Sequence, residues 1–206
     1  MTALEFLSVG AAGDAGGFHP VARSSMERAQ REAGARFEER DGWLVPAAIL
    51  GEEEYLGAVG IADLSHLTKY EIRPAVNPLD GGEAAVWYRI SPRRALVIYP
   101  STDTEAVREQ LTGRLVLDVT AALGILAIVG PEADTVIRRL THLHHFPSGG
   151  EVAHITAHVL KPADDAYWIV FPQEYGHYLW EVAVDRATPL GGGPVGVDAI
   201  ARRGTA

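Results

Sequence analysis

Five side chains able to do chemistry fall within eight residues: Asp63, Ser65, His66, Lys69 and Tyr70. They sit in AVGIADLSHLTKYEIR, residues 58–73. Polar groups of several kinds on a loop entering a strand are what a binding site needs. They are also the make-up of an ordinary solvated loop. A serine, a histidine and an aspartate so close suggest a nucleophilic triad, and the spacing argues against one. Ser65 and His66 are adjacent, so in extended backbone their side chains point to opposite faces. A nucleophile needs its base within hydrogen-bond reach, usually from a distant part of the chain. No G-x-S-x-G elbow occurs. The local role expected for Asp63 is an Asx-type bond to the backbone near Ser65, shaping the turn.

Five of the eight histidines cluster in THLHHFPSGGEVAHITAH: His142, His144, His145, His154 and His158. Zinc is the sharp reading. His142 and His144 are two apart, and no carboxylate stands at a supporting spacing. His154 and His158 lie in a β-patterned segment, where residues four apart share a face but are too distant for one metal. The expectation is no metal. Glycines pair at Gly81-Gly82 and Gly149-Gly150 and run from Gly191 to Gly193, without a G-x-G-x-x-G or P-loop pattern. Asp164-Asp165 and Glu52 to Glu54 read as solvated turn or helix-start charges. Trp43, Trp87, Trp168 and Trp180 read as core.

The elements that must position these groups are legible in part. Residues 1–18 are Gly- and Ala-rich and are expected to be mobile; residues 19–206 are expected to form a single domain. Ala22, Met26, Ala29 and Ala33 predict a helix over 20–33, stopped by Gly34. ARFEERDGWLVPAAI predicts a hairpin around Asp41-Gly42. A short acidic helix is expected over 52–57. In 67–73, Thr68, Tyr70 and Ile72 face one way, and Leu67, Lys69, Glu71 and Arg73 the other. Residues 74–82 read as loop. AVWYRISPRRALVIYP predicts strand, Pro turn and strand, then a helix over 102–111 with Ala106, Val107 and Leu111 inward. ITAHVLKPADDAYWIVFP predicts the same, with its turn at Pro162. Its helix over 173–186 carries Tyr175, Tyr178, Leu179, Val182 and Ala183 on one stripe. The turn prolines are 70 residues apart and the closing prolines 72 apart. This suggests a ββα pseudo-repeat. Between the two units the sequence predicts strands over 115–119 and 124–129. Gly130-Pro131 then opens a helix that buries Ala133, Val136, Ile137 and Leu140. The order describes an α+β protein with antiparallel sheets covered by helices.

The chain has 206 residues, 47% of them hydrophobic, enough for a sizeable core. No run is long enough to span a bilayer, and MTALEFLSVG is too short and too lightly charged for a signal peptide. Cysteine is absent and the net charge is −9. Paired arginines at Arg93, Arg138 and Arg202 are isolated rather than striped. The expectation is a cytoplasmic protein without nucleic-acid or membrane partners.

GARFEERDGWLVPAAI followed by VGIADLSHLTKYEI resembles the opening of the aminomethyltransferase (glycine cleavage T-protein) family. That family carries a similar ARF…GW..P strand pair and a G..D.SH..K segment, matched by Gly60, Asp63, Ser65, His66 and Lys69. LVLDVTAALGILAIVGPEADTVIRRL is similar to the family's DVS…A.L.L.GP.A..VL segment. It is closer still to the gamma subunit of heterotetrameric sarcosine oxidase. HHFPSGGEVAHITAHVLKPADDAYWIVFPQEYGHYLWEVAV follows that gamma pattern as well. GPVGVDAIAR is similar to the T-protein stretch before its C-terminal barrel domain, which has no counterpart in this sequence. Together these segments span most of residues 20–202.

The resemblance implies a folate-binding T-protein-like α+β fold with ferredoxin-like subdomains around a central folate cavity. It implies tetrahydrofolate as cofactor and a small amine or methyl donor as substrate. Asp63 or Glu83 would be the carboxylate beside the folate ring nitrogens, with His66 assisting proton transfer. Tyr88 and Arg89 would hold the carboxylate side of the folate. Ser65, Lys69, Tyr70, Asp165 and Trp168 would complete the pocket. The sequence departs from the family where a GG..DD…YR segment supplies a catalytic aspartate. Here it reads Asp80-Gly81-Gly82-Glu83-Ala84-Ala85-Val86-Trp87-Tyr88-Arg89. The pterin-recognising YTGE.GFE segment has become LKPADDAYW, with Trp168 in the place of its last glutamate. Two functions follow: a folate-dependent one-carbon transfer enzyme, or a non-catalytic gamma-like subunit of a flavin-dependent amine oxidase or demethylase, partnered by a larger flavoprotein subunit. A third reading is a superfamily member repurposed for another small ligand.

Overall fold

The computed structural model describes residues 20–73 and 85–203. The chain begins with β1 (Ala22–Arg23), α1 (Glu27–Glu32), β2 (Arg36–Arg40) and β3 (Trp43–Ala48). The helix predicted over 20–33 is shorter because Ala22 N donates to Gly42 O at 2.7 Å and β1 pairs in parallel with β3. Gly34 ends the helix at φ 80°, as expected. The predicted hairpin forms, with both turn residues at positive φ: Asp41 at 52° and Gly42 at 73°. There follow α2 (Glu52–Tyr55), β4 (Gly60–Asp63) and β5 (Thr68–Arg73). Next come β6 (Val86–Ser91), β7 (Arg94–Tyr99), α3 (Thr104–Gln110), β8 (Leu115–Asp118), β9 (Leu123–Val129) and α4 (Ala133–Leu140). The rest is β10 (Ser148–Val152), β11 (Ile155–Ala163), β12 (Ala166–Pro172), α5 (Gly176–Ala187), β13 (Gly193–Pro194) and α6 (Val197–Arg202).

The strands form three sheets, in the orders β1-β3-β2, β10-β11-β12-β9-β4-β13 and β6-β7-β5-β8. Three apolar cores separate the layers. Met26, Ile61, Leu126, Val136, Ile169, Phe171 and Leu179 fill the space between the six-stranded sheet and α1, α4 and α5. Ala62, Leu64, Leu96, Ile98, Ile125, Trp168 and Val170 fill the space between the six-stranded and four-stranded sheets, closed by β3 and α6. Tyr70, Ile72, Val97, Tyr99, Val107 and Leu111 lie under α3. The expected antiparallel sheets covered by helices are thus a layered sandwich. Two sheets face each other and helices cover the outer faces.

Both strand–turn–strand–helix segments are present, and a 3₁₀ turn at Ser101–Asp103 or Gln173–Tyr175 precedes the helix in each. Pro162 lies inside β11 rather than at the turn, which falls at Asp164-Asp165; the register shifts between Leu160 and Ala163. Ala106 is exposed, while Val107 and Leu111 turn inward. Tyr175 and Tyr178 are exposed, and α5 instead buries Gly176, Leu179, Trp180, Ala183 and Ala187. Its rotation is set by a close approach to α1. A Cβ on Gly176 would overlap Ser25 Oγ and stand 3.1 Å from Met26 Cγ. Ser25 is pinned by donating its hydroxyl to Gln173 O. Gly176→Ala is therefore expected to destabilise by about 1–3 kcal/mol despite alanine's better helix propensity. Urea unfolding midpoints measure this, and Ser25→Gly in the same chain should recover part of the loss. The stripe of α4 is buried as predicted. Among the described residues no helix is long and apolar enough to cross a membrane.

Candidate functional site

The 58–73 stretch is a crossover between the two large sheets. β4 ends at Asp63 in the six-stranded sheet, and β5 begins at Thr68 in the four-stranded one. Residues 64–67 form the corner between them. A second corner, residues 119–122, carries the chain back from β8 to β9. The two corners are bonded together. Leu64 N donates to Ile125 O at 2.9 Å, Lys69 N to Thr120 Oγ1 at 3.0 Å, and Val119 N to Lys69 O at 2.9 Å. Most of what reads as a polar loop in the sequence is therefore buried between strands.

Asp63, Ser65 and Lys69 are each engaged in holding the corner. Ser65 N donates to Asp63 Oδ1 at 2.9 Å, the expected Asx-type bond. Gln30 Nε2, from α1, donates to Asp63 Oδ2 at 2.8 Å. Asp63 is 2% exposed and Gln30 is fully buried. Ser65 Oγ accepts from Ile125 N at 3.1 Å. Lys69 is also fully buried, and its Nζ donates to the carbonyls of Ser65 at 2.7 Å and Leu67 at 2.8 Å. Burial pushes the Lys69 amine down to about 7, against the pull of Asp63 and Asp118. Burial also pushes the His66 imidazole down to about 4, opposed by Asp63 and aided by Lys69. His66 is thus neutral at pH 7.

The other candidates disperse. Tyr70 faces the α3 core, where its hydroxyl accepts from Arg108 Nε at 3.0 Å and its ring meets Tyr99 edge-on at 5.5 Å. Tyr88, on β6, lies between the large sheets. Its hydroxyl is 3.2 Å from His158 Nδ1, with ring centroids 5.1 Å apart. Burial raises the Tyr88 phenol and lowers the His158 imidazole. Trp168 shares this core with Tyr88, and its Nε1 is buried without a hydrogen-bond partner. Two of the surface grooves among the described residues lie away from the corner. One of about 520 Å³ runs along α1 between Arg23 and Glu32. One of about 540 Å³ is lined by Arg73, Ser91, Arg93 and Arg94. Neither includes Asp63, His66 or Tyr88. Among the described residues no three histidine, aspartate or glutamate side chains are grouped to hold a metal.

No protein-family model matches the chain. An aminomethyltransferase from Desulforamulus reducens is 22% identical over 223 residues, 86% of this chain and 61% of that protein. The chain thus spans about three fifths of the curated relative it matches. Among solved structures, the glycine cleavage system aminomethyltransferase T from Bartonella henselae superposes with a TM-score of 0.64 at 16% identity. The match covers 87% of this chain and 60% of that one. A chain of the heterotetrameric sarcosine oxidase from Corynebacterium sp. U-96 superposes with a TM-score of 0.58 at 15% identity, covering 84% of this chain and 97% of that one. This chain thus shares the fold of the aminomethyltransferase and of the sarcosine oxidase chain.

Within that fold, the residues carried over by resemblance do not converge on one point. Asp63, Ser65, His66 and Lys69 share the corner. Asp165 stands at the other end of β12, where its Oδ2 accepts from Arg203 Nη2 at 3.1 Å and its carbonyl accepts from Gly130 N at 2.9 Å. Arg89 is exposed on β6. Glu83 and the rest of residues 74–84 lie outside the described residues. Gln30 is the residue that sequence reading misses. It lies four positions after the buried Met26 and three before Ala33, on the inward face of the helix, and this spacing was its available signal.

Proposed function

We propose that the chain is a non-catalytic, gamma-like subunit of a heteromeric flavin-dependent sarcosine oxidase or related amine demethylase. The observation that carries this reading is the state of Asp63. A carboxylate that anchors a pterin ring needs an open lone pair facing the ligand. Each oxygen of Asp63 instead accepts one hydrogen bond from inside the fold, Oδ2 from Gln30 and Oδ1 from the Ser65 backbone, and the residue is closed off from solvent. As it stands it does not fit tetrahydrofolate, the cofactor that the resemblance implies. Tyr88 and Trp168 are likewise packed into the layer between the sheets. Such residues build a rigid sandwich, and a larger flavoprotein subunit would supply the redox chemistry.

The second reading is a tetrahydrofolate-dependent aminomethyl or methyl transfer enzyme. The curated relative's name and the intact Asp63-Leu64-Ser65-His66 segment favour it. In that reading Glu83 is the working carboxylate. Anaerobic calorimetric titration with tetrahydrofolate and its 5-methyl form separates the two. The subunit reading expects no binding by the folded chain alone and stoichiometric co-purification with a flavin-containing protein. Micromolar folate binding that is lost in Glu83→Gln and kept in Asp63→Asn would overturn it in favour of the enzyme.

A further inference from the structure

One strand of the sandwich is unfinished. β8 is an edge of the four-stranded sheet, and among the described residues it pairs with β5 alone. Val119 N donates to Lys69 O, so Leu117 and Leu115, at alternate positions of the same antiparallel ladder, also turn their backbone groups to β5. Val116 and Asp118 therefore direct theirs outward. Leu115 and Leu117 are 55% and 38% exposed, side by side on the face away from α3. Edge strands are usually blunted by a mid-strand charge, a proline or a bulge. This one is apolar up to its last residue, Asp118, and Arg114 stands just before the strand.

With Arg114, the residue before it, the strand reads Arg-Leu-Val-Leu-Asp, symmetric in shape about Val116 and opposite in charge at the two flanks. We infer that β8 is the contact strand of a two-fold homodimer, pairing antiparallel with β8 of a second copy. With the axis at Val116, that residue faces its own copy, and its outward N–H and C=O bond reciprocally. Leu115 then packs against Leu117 of the second copy, and Arg114 meets Asp118. The two-fold axis requires residues of one face to meet residues of the same face, which permits only registers shifted by two. A shift of two in either direction sets Asp118 against Thr112 or against Val116 and loses both charge pairs. Asp118 is already oriented, since its Oδ1 accepts from Thr120 N at 2.9 Å. The dimer would join the two four-stranded sheets into one and would use neither Asp63 nor Glu83, so it is independent of either functional reading.

Sedimentation equilibrium of the purified chain, from about 1 to 100 μM, tests this with charge swaps. A small strand-pairing interface predicts micromolar dimerisation. Arg114→Asp and Asp118→Arg alone should each weaken the dimer about tenfold or more, because each places like charges opposite at both symmetric positions. The double variant Arg114→Asp/Asp118→Arg should restore it to within about threefold of the parent. Leu117→Lys should give a folded monomer. A chain that stays monomeric throughout overturns the inference, as does a dimer whose strength ignores the swaps. Circular dichroism of each variant separates lost pairing from lost folding.

Discussion

Asp63→Ala is expected to cost the fold about 3–5 kcal/mol, well before any question of activity is reached. The carboxylate receives two hydrogen bonds, each of a kind worth about 1.5–3 kcal/mol when the acceptor is charged. Alanine removes both. It also strands Gln30 Nε2 in a fully buried position where Gln30 Oε1 already lacks a partner. The Asx-type turn that directs the chain from one sheet to the other would be lost as well. Asp63→Asn should be far milder, near 1 kcal/mol. Its Oδ1 still accepts from Ser65 N, and a rotated Gln30 amide can offer Oε1 to the new Nδ2. Urea unfolding of both variants, with a double-mutant cycle against Gln30→Ala, measures the coupling. A cycle near zero would sink the claim that Gln30 and Asp63 act as one unit. It follows that loss of function in Asp63→Ala would report on folding, so Asp63→Asn is the informative substitution.

The sequence is most legible where local chemistry decides. Asp41-Gly42 fixes its own hairpin through positive φ, and the α4 stripe follows from helical period. The alternation in 68–72 separates the two faces of β5 correctly. It does not reveal that both faces are covered. Period-2 patterning usually marks an apolar inner face and a wet polar one. In a sheet facing another sheet the polar side is buried too, and Lys69 and Glu71 lie there covered. Glu71 is held by Arg94 and Arg73, which keep its carboxyl below the usual range. Tyr175 and Tyr178 fail for a related reason. Apolar spacing offers two overlapping stripes on α5, and the contact of Gly176 with Ser25 and Met26 chooses between them. The family segment DLSH is visible as a motif, but its role in joining two corners depends on Gln30, Thr120 and Ile125, each remote in sequence.

Lys69 is expected to make the protein more stable as pH rises from about 7 to about 10. In the unfolded chain the amine protonates near its ordinary value of 10.5, whereas the folded chain keeps it neutral down to about 7. Between those values the unfolded state binds the extra proton, so lowering the pH favours unfolding. The slope approaches about 1.4 kcal/mol per pH unit at its steepest. His66 adds a second limb of the same sign at lower pH. The folded imidazole resists protonation down to about 4, so stability falls as pH drops from 6.5 toward 4. Urea unfolding from pH 7 to 9.5 should show the Lys69 limb in the parent and lose it in Lys69→Met. An equal slope in the methionine variant would rule out Lys69 as its source. At pH 9.5 the variant should nonetheless be weaker by about 2 kcal/mol, because the Ser65 and Leu67 carbonyls lose the donor that joins them. Asp63 couples the limb to the corner. Its charge raises the Lys69 amine, so Asp63→Asn lets the amine fall further and extends the rising limb below pH 7.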